Sequence, residues 1–243
     1  MTCCSNNCSF GLDKIKEKMK SLCNPDIAVH SQRFFKTGKG EYGEGDIFLG
    51  IRVPVLRKLA KEFSKASLKT VFELLKSKYH EERQLALFIL VNSYKKSDAD
   101  LKVFIYNMYL DNTMFINNWD LVDSTAEHIV GEYLYNNDRE VLFYLAKSDS
   151  LWERRISIIS TFYFIRRNDF ADTLKIAELL INDKEDLIHK AVGWMLREVG
   201  NRNLEIEENF LQKHYNKMPR TMLRYAIEKF EEDKRQKYLK GLI

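Results

Sequence analysis

The sequence predicts an all-α protein, a solenoid of stacked antiparallel helix pairs, on three observations. Structure-breaking residues are scarce: 243 residues contain 3 Pro and 10 Gly, whereas an all-β chain needs turn residues roughly every 8–12 positions. Leu, Ile, Lys and Glu are abundant between those breakers. A short pattern also recurs, in Arg83-Gln84-Leu85-Ala86-Leu87, Trp119-Asp120-Leu121-Val122-Asp123, Arg154-Arg155-Ile156-Ser157-Ile158, His189-Lys190-Ala191-Val192-Gly193 and Leu223-Arg224-Tyr225-Ala226-Ile227. Its second residues stand at 84, 120, 155, 190 and 224, so the steps are 36, 35, 35 and 34 residues. A helix pair at this period describes a HEAT- or armadillo-like array, somewhat short for that class.

The elements follow in chain order. Residues 11–24 and 26–36 read as two helices, and 37–45 as a flexible Gly-rich loop. A helix over 54–64 tolerates Pro54 in its first turn. The first helices of the five pairs read as 67–78, 98–110, 137–147, 170–181 and 203–214, and the connectors carry the helix-start residues Ser67, Asp98, Asn137 and Asp183. Each recurring segment then opens a second helix, as Ile156, Ile159, Phe162 and Phe164 show by their spacing. One pair cannot bury its apolar face alone, so stacking makes one continuous core and the second helices line a concave surface. The expected organisation is a flexible Cys-bearing leader over 1–9 and a single domain over 10–243.

The balance of 45% hydrophobic and 30% charged residues is that of a globular chain. No apolar run approaches the roughly 18–20 residues that span a bilayer. The first residues have neither the basic nor the apolar region of a secretory signal, so the expectation is a cytoplasmic protein with no membrane partner. All four cysteines (Cys3, Cys4, Cys8 and Cys23) fall near the start. A disulfide framework would spread them through the fold, and Cys4-x-x-x-Cys8 lacks the second half of a zinc site. Reduced thiols and no metal or other cofactor are expected. The net charge of +4, from 39 basic and 35 acidic residues, is too small to establish nucleic-acid binding, so the placement of the cations decides.

The middle repeat breaks its own pattern. Where Arg155, Lys190 and Arg224 are basic it carries Asp120, and where Leu87, Ile158 and Ile227 are apolar and Gly193 is small it carries Asp123. Unpaired carboxylates are costly to bury, so such a break points to function. The alternatives are that Asp120 caps the helix and that Asp123 pairs with a basic neighbour. Trp119, Trp152 and Trp194 share the same frame; aromatic walls near a carboxylate and cations suit a cationic ligand, although tryptophans in helices are more often core. The column Arg155, Lys190 and Arg224 would climb a groove in steps of roughly 10 Å. On the residues alone it suits a phosphate backbone and structural ion pairs with Glu153, Glu198 or Glu228 equally well.

Three strings together are more specific: Asn118-Trp119-Asp120-Leu121-Val122-Asp123-Ser124, Leu151-Trp152-Glu153-Arg154-Arg155 and Lys190-Ala191-Val192-Gly193-Trp194-Met195-Leu196-Arg197-Glu198. With Phe48-Leu49-Gly50-Ile51-Arg52-Val53-Pro54 and Met218-Pro219-Arg220-Thr221-Met222-Leu223-Arg224-Tyr225-Ala226, they resemble the AlkD-like DNA alkylation repair glycosylases over about residues 10–240. The resemblance implies a HEAT-like solenoid, acting as a monomer, whose concave face holds duplex DNA containing alkylated bases. It implies excision of cationic N3- and N7-alkylated purines without a base-flipping pocket. Asp123 would be the catalytic carboxylate, Trp119 and Trp194 would pack on the deoxyribose of the lesion, and Arg155 would contact the DNA backbone. The resemblance also places Arg52 near the groove, and Lys190 and Arg224 of the basic column are the further candidates for DNA contact.

The chemistry fits that assignment. An alkylated purine departs neutral from a cationic nucleotide, leaving an oxocarbenium-like sugar that a carboxylate and aromatic faces stabilise. Two positions depart from the family pattern. Asn118 stands where a second tryptophan is usual, and Phe34 stands where a tyrosine would offer DNA a hydroxyl. A non-catalytic DNA-binding solenoid and a protein-interaction scaffold are the competing readings, and the retained Asp123, Trp119, Arg155 and Trp194 favour the enzyme.

Overall fold

The computed structural model describes residues 11–243; the expected leader over 1–9, with Cys3, Cys4 and Cys8, lies outside them. The described residues are helical, and no strand occurs among them beyond an isolated bridge between Ile47 and Tyr79. They divide into two compact units, one ending at Leu121 and one running Val122–Ile243.

The first unit holds α1 (Leu12–Lys20), α2 (Pro25–Phe34), α3 (Val53–Glu62), α4 (Leu68–Leu75), α5 (His80–Tyr94) and α6 (Ala99–Leu110). Its centre is α5, in which Leu85, Ala86, Leu87, Phe88, Ile89 and Leu90 are all buried in succession between α3 and α4. The sequence therefore gives α5 no polar face, which is the mark of a helix covered on every side. Three start signals act as side-chain caps: Asn24 accepts from Ile27 N–H, Ser67 from Thr70 N–H and Asp98 from Leu101 N–H. The Gly-rich segment folds into turns, with Gly38 N–H donating to Glu41 and Gly40 N–H to Glu44, each at 2.8 Å.

In the second unit lie α8 (Glu132–Leu134), α9 (Glu140–Leu145), α10 (Leu151–Ser160), α11 (Phe162–Ile165), α12 (Ala171–Leu179), α13 (Asp186–Arg202), α14 (Leu204–His214), α15 (Arg220–Ala226) and α16 (Glu232–Lys240). Here α13 is central and packs on α10, α14 and α15. Two expected starts move. Asn137 bonds back to Tyr133 O while α9 begins at Glu140, and Asp183 accepts from Glu185 N–H ahead of α13. Several second helices are also interrupted. Ser160 and Thr161 turn their hydroxyls onto the carbonyls of Ile156 and Ile158, and α10 gives way there to α11.

The helix that carries the broken repeat, α7 (Trp119–Asp123), is five residues long. A π-helical turn over Glu127–Gly131 follows it before α8. Such turns gather at functional positions because they re-aim side chains without ending the element. A close backbone approach occurs at Gly193, where an added Cβ would stand 2.4 Å from Met222 O and 2.6 Å from Tyr225 Cβ on α15. Replacing Gly193 by Ala therefore wedges α13 from α15 and is expected to cost about 1–3 kcal/mol. Thermal melts of the variant and the wild type check this; equal midpoints would mean that α15 yields freely.

Candidate active site and nucleic-acid interface

In the first unit the approach to α7 is tied down by buried polar groups. Asn118, fully buried, accepts the Trp119 N–H through Oδ1 at 2.8 Å and donates through Nδ2 to Asp46 at 3.2 Å. The residue that departs from the family pattern is thus the anchor of the helix start. Asp46 receives Arg83 at 2.5 Å and His80 Nδ1 at 3.0 Å. The other imidazole nitrogen, His80 Nε2, lies 2.9 Å from Asp120, which also accepts from Gln84 at 2.8 Å. Asp120 is therefore a structural partner of α5.

Burial opposes a charge on His80, but Asp120 and Asp46 on its two sides outweigh it and raise its pKa to about 9. Near neutral pH both ring nitrogens are then donors. Asp46 is pushed up by burial and pulled down further by His80 and Arg83, so its carboxyl sits below its ordinary range. Two carboxylates, one imidazolium and one guanidinium make a charge-balanced cluster, the condition for leaving such groups buried.

An aromatic stack covers this cluster. The ring of Phe35 lies 5.0 Å from Phe48, 5.0 Å from His80 and 5.3 Å from Trp119, nearly parallel to the last at 22°. Phe34, 58% exposed, meets Trp119 edge-on at 6.0 Å. A cavity of about 380 Å³ is lined by Phe35, Phe48, Ile51, Arg52, Gln84 and Asp120, among others. Its rim loop is fixed by Glu81, whose carboxylate accepts the N–H groups of Leu49 and Gly50 at 2.8 Å and of Ile51 at 3.2 Å. Arg52 follows directly, exposed and without a salt bridge.

In the second unit Asp123 receives Arg155 through two parallel bonds, Nε to Oδ1 and NH2 to Oδ2, both 2.8 Å. Arg155 is buried and spends its remaining arm on Leu187 O. The guanidinium that the resemblance places on the DNA backbone is thus turned onto the carboxylate, and the pairing of Asp123 with a basic neighbour is observed. Trp194, half-buried, donates its indole N–H to Glu198 and meets Phe162 edge-on. The cationic column is not uniform: Lys190 pairs with Asp186 at 2.8 Å, whereas Arg224 is exposed and makes no salt bridge.

His80 and Asp46 carry no signal of their own in the sequence, and Arg83 and Gln84 stand out there only as the start of the first repeat segment. The run His80-Glu81-Glu82-Arg83-Gln84 was visible as five polar residues leading into an apolar helix, but Asp46 stands 34 residues before His80 with no pattern linking them. Cys23 is a free, exposed thiol, and no group of metal-ligating side chains occurs among the described residues. No helix there is long and apolar enough to cross a membrane.

Among the described residues, the fold is all-helical and carries an arginine-clamped carboxylate and exposed arginines. The family model of the DNA alkylation repair enzymes matches residues 15–230, and the chain belongs to that family. It is similar in structure to a predicted DNA alkylation repair enzyme from Enterococcus faecalis, at 16% identity and a TM-score of 0.66, over 86% of this chain and 97% of that one. It is also similar to AlkD2 from Streptococcus mutans, at 15% identity and a TM-score of 0.56, over 90% of this chain and 99% of the other. At such identity the likeness speaks for the fold. No curated protein matches the chain.

Proposed function

We propose that the protein is a monofunctional DNA glycosylase that hydrolyses the N-glycosidic bond of cationic N3- and N7-alkylated purines in duplex DNA. The observation that carries the reading is the Asp123–Arg155 clamp. The two parallel arginine bonds fix the plane of the carboxylate and set the direction in which its oxygens face. As the C1′–N bond lengthens, positive charge builds on the deoxyribose while the base leaves neutral. Asp123 stabilises that charge and orients the attacking water. Trp119 and Trp194 contribute through their ring faces, about 0.5–2 kcal/mol each.

Arg52 and Arg224, exposed and outside ion pairs, supply phosphate contacts, with Lys190 and Phe34 flanking the duplex. Arg224→Ala is accordingly expected to reduce the slope of log affinity against log salt by about 0.9, the loss of one phosphate contact. An unchanged slope would remove Arg224 from the interface.

The direct test is chromatography of the bases released from methylated duplex DNA. Free 3-methyladenine or 7-methylguanine is the expected product. Binding of that DNA without release would favour a non-catalytic DNA-binding solenoid, and neither binding nor release a protein scaffold.

A further inference from the structure

Trp194 is held along its polar edge by a single side chain. Its Nε1–H donates to Glu198 Oε1 at 3.0 Å, one helical turn along α13. That carboxylate is itself fixed: Asn201 donates to Oε2 at 3.2 Å, and the Arg197 guanidinium lies 3.7 Å from Oε1. Arg197 is in turn paired with Glu228. Across the indole, Phe162 meets the ring edge-on at 5.7 Å and 62°, with the Arg166 guanidinium 4.2 Å above the Phe162 ring centre. A packed aromatic wall alone would allow the indole to pivot. The hydrogen bond removes that freedom.

The acceptor is charged, and this matters for a ring whose task is to face a cation. A bond from N–H to a carboxylate is shorter and roughly twice as strong as one to a neutral acceptor. It also polarises the donor, moving electron density from the N–H into the π system, and the negative ring face is what attracts a cation. An acid is therefore better suited to this position than an amide of the same shape.

We propose that Glu198 is a positioning residue for Trp194, fixing the plane of the indole and enriching its face so that the ring stabilises the cationic sugar better than an unanchored tryptophan would. This rests on the glycosylase reading above. Glu198 touches no reacting atom and acts only through the indole.

The test is single-turnover excision of one 7-methylguanine from a duplex, with protein in excess, for the wild type, Glu198→Ala, Glu198→Gln, Trp194→Phe and the Glu198→Ala/Trp194→Phe double variant. Glu198→Ala is expected to lower the limiting rate about tenfold, with the half-saturating protein concentration changed by less than about twofold. Glu198→Gln keeps an acceptor without the charge and should recover to within about threefold of wild type. In the Trp194→Phe background the alanine change should have no further effect, because the ring to be anchored is gone. The indole N–H resonance of Trp194, assigned by its loss in Trp194→Phe, should move upfield in Glu198→Ala. Wild-type rates in Glu198→Ala, or an equal loss in both backgrounds, would overturn the proposal. A wild-type chain that releases no base would instead refute the glycosylase reading, and this inference would fall with it.

Discussion

Asp123→Asn is expected to bind methylated duplex DNA like the wild type while losing at least about 100-fold in the rate of base release, some 2.7 kcal/mol of transition-state stabilisation. The amide is nearly the same size and can still accept one bond from Arg155 through Oδ1. It lacks the negative charge that opposes the forming oxocarbenium ion, and one of its faces now presents N–H groups to a guanidinium that also donates. That second effect is a stability effect. Arg155 is 4% exposed, and removing the charge of a buried partner costs about 3–5 kcal/mol when nothing compensates. The rate must therefore be measured where circular dichroism shows the variant folded. If the folded variant turns over at the wild-type rate, Asp123 serves only to hold Arg155. If the wild type has no activity to lose, the catalytic reading itself fails. The two outcomes separate because the clamp predicts a lower melting temperature in either case.

The repeat and its break were legible because both are local in sequence. A period of 34–36 residues survives drift wherever each helix pair must bury the same face, and an acid at an apolar position of that period stands out by subtraction. The family motifs added named roles to Trp119, Asp123, Arg155 and Trp194. What sequence could not supply was direction. Arg155 sits in a column with Lys190 and Arg224, yet the first turns onto Asp123, the second onto Asp186 and the third stays exposed. Those outcomes depend on where an acid is presented, on another helix for Arg155 and one turn back in the same helix for Lys190, and a one-dimensional period does not encode it. The role of Asn118 was hidden for a similar reason: its amide is buried and joins Asp46 to the Trp119 backbone. The interruption after Asp123 was invisible as well, since Ser124 and Thr125 carry no breaker ahead of the π turn.

The buried cluster around His80 yields the second large effect, and it is visible in stability rather than in turnover. Asp46→Ala removes the acid that faces both His80 and Arg83, leaving a buried guanidinium with the Ser77 carbonyl as its acceptor and an imidazole with Asp120 alone. Breaking one partner from a buried charged set costs about 3–5 kcal/mol. For a chain of this length that corresponds to a fall of about 10 °C in melting temperature. The same cluster tilts stability with pH. His80 titrates near 9 when folded and near 6.5 when unfolded. The stability it contributes is complete below pH 6.5 and drains away as pH rises through 9, by up to about 1.4 kcal/mol per pH unit. Glu207 pushes the same way. Burial, with Glu208 adding to it and Arg197 opposing, raises its carboxyl from 4.5 to about 8, so its contribution is complete below pH 4.5 and is lost as pH climbs through 8. Urea melts at intervals from pH 5 to 10 should show the wild type weakening toward alkaline pH. His80→Gln should flatten the curve between 6.5 and 9, and Glu207→Gln should flatten it between 4.5 and 8. A His80→Gln variant that follows the wild-type slope throughout would mean that the imidazole is neutral in the folded protein.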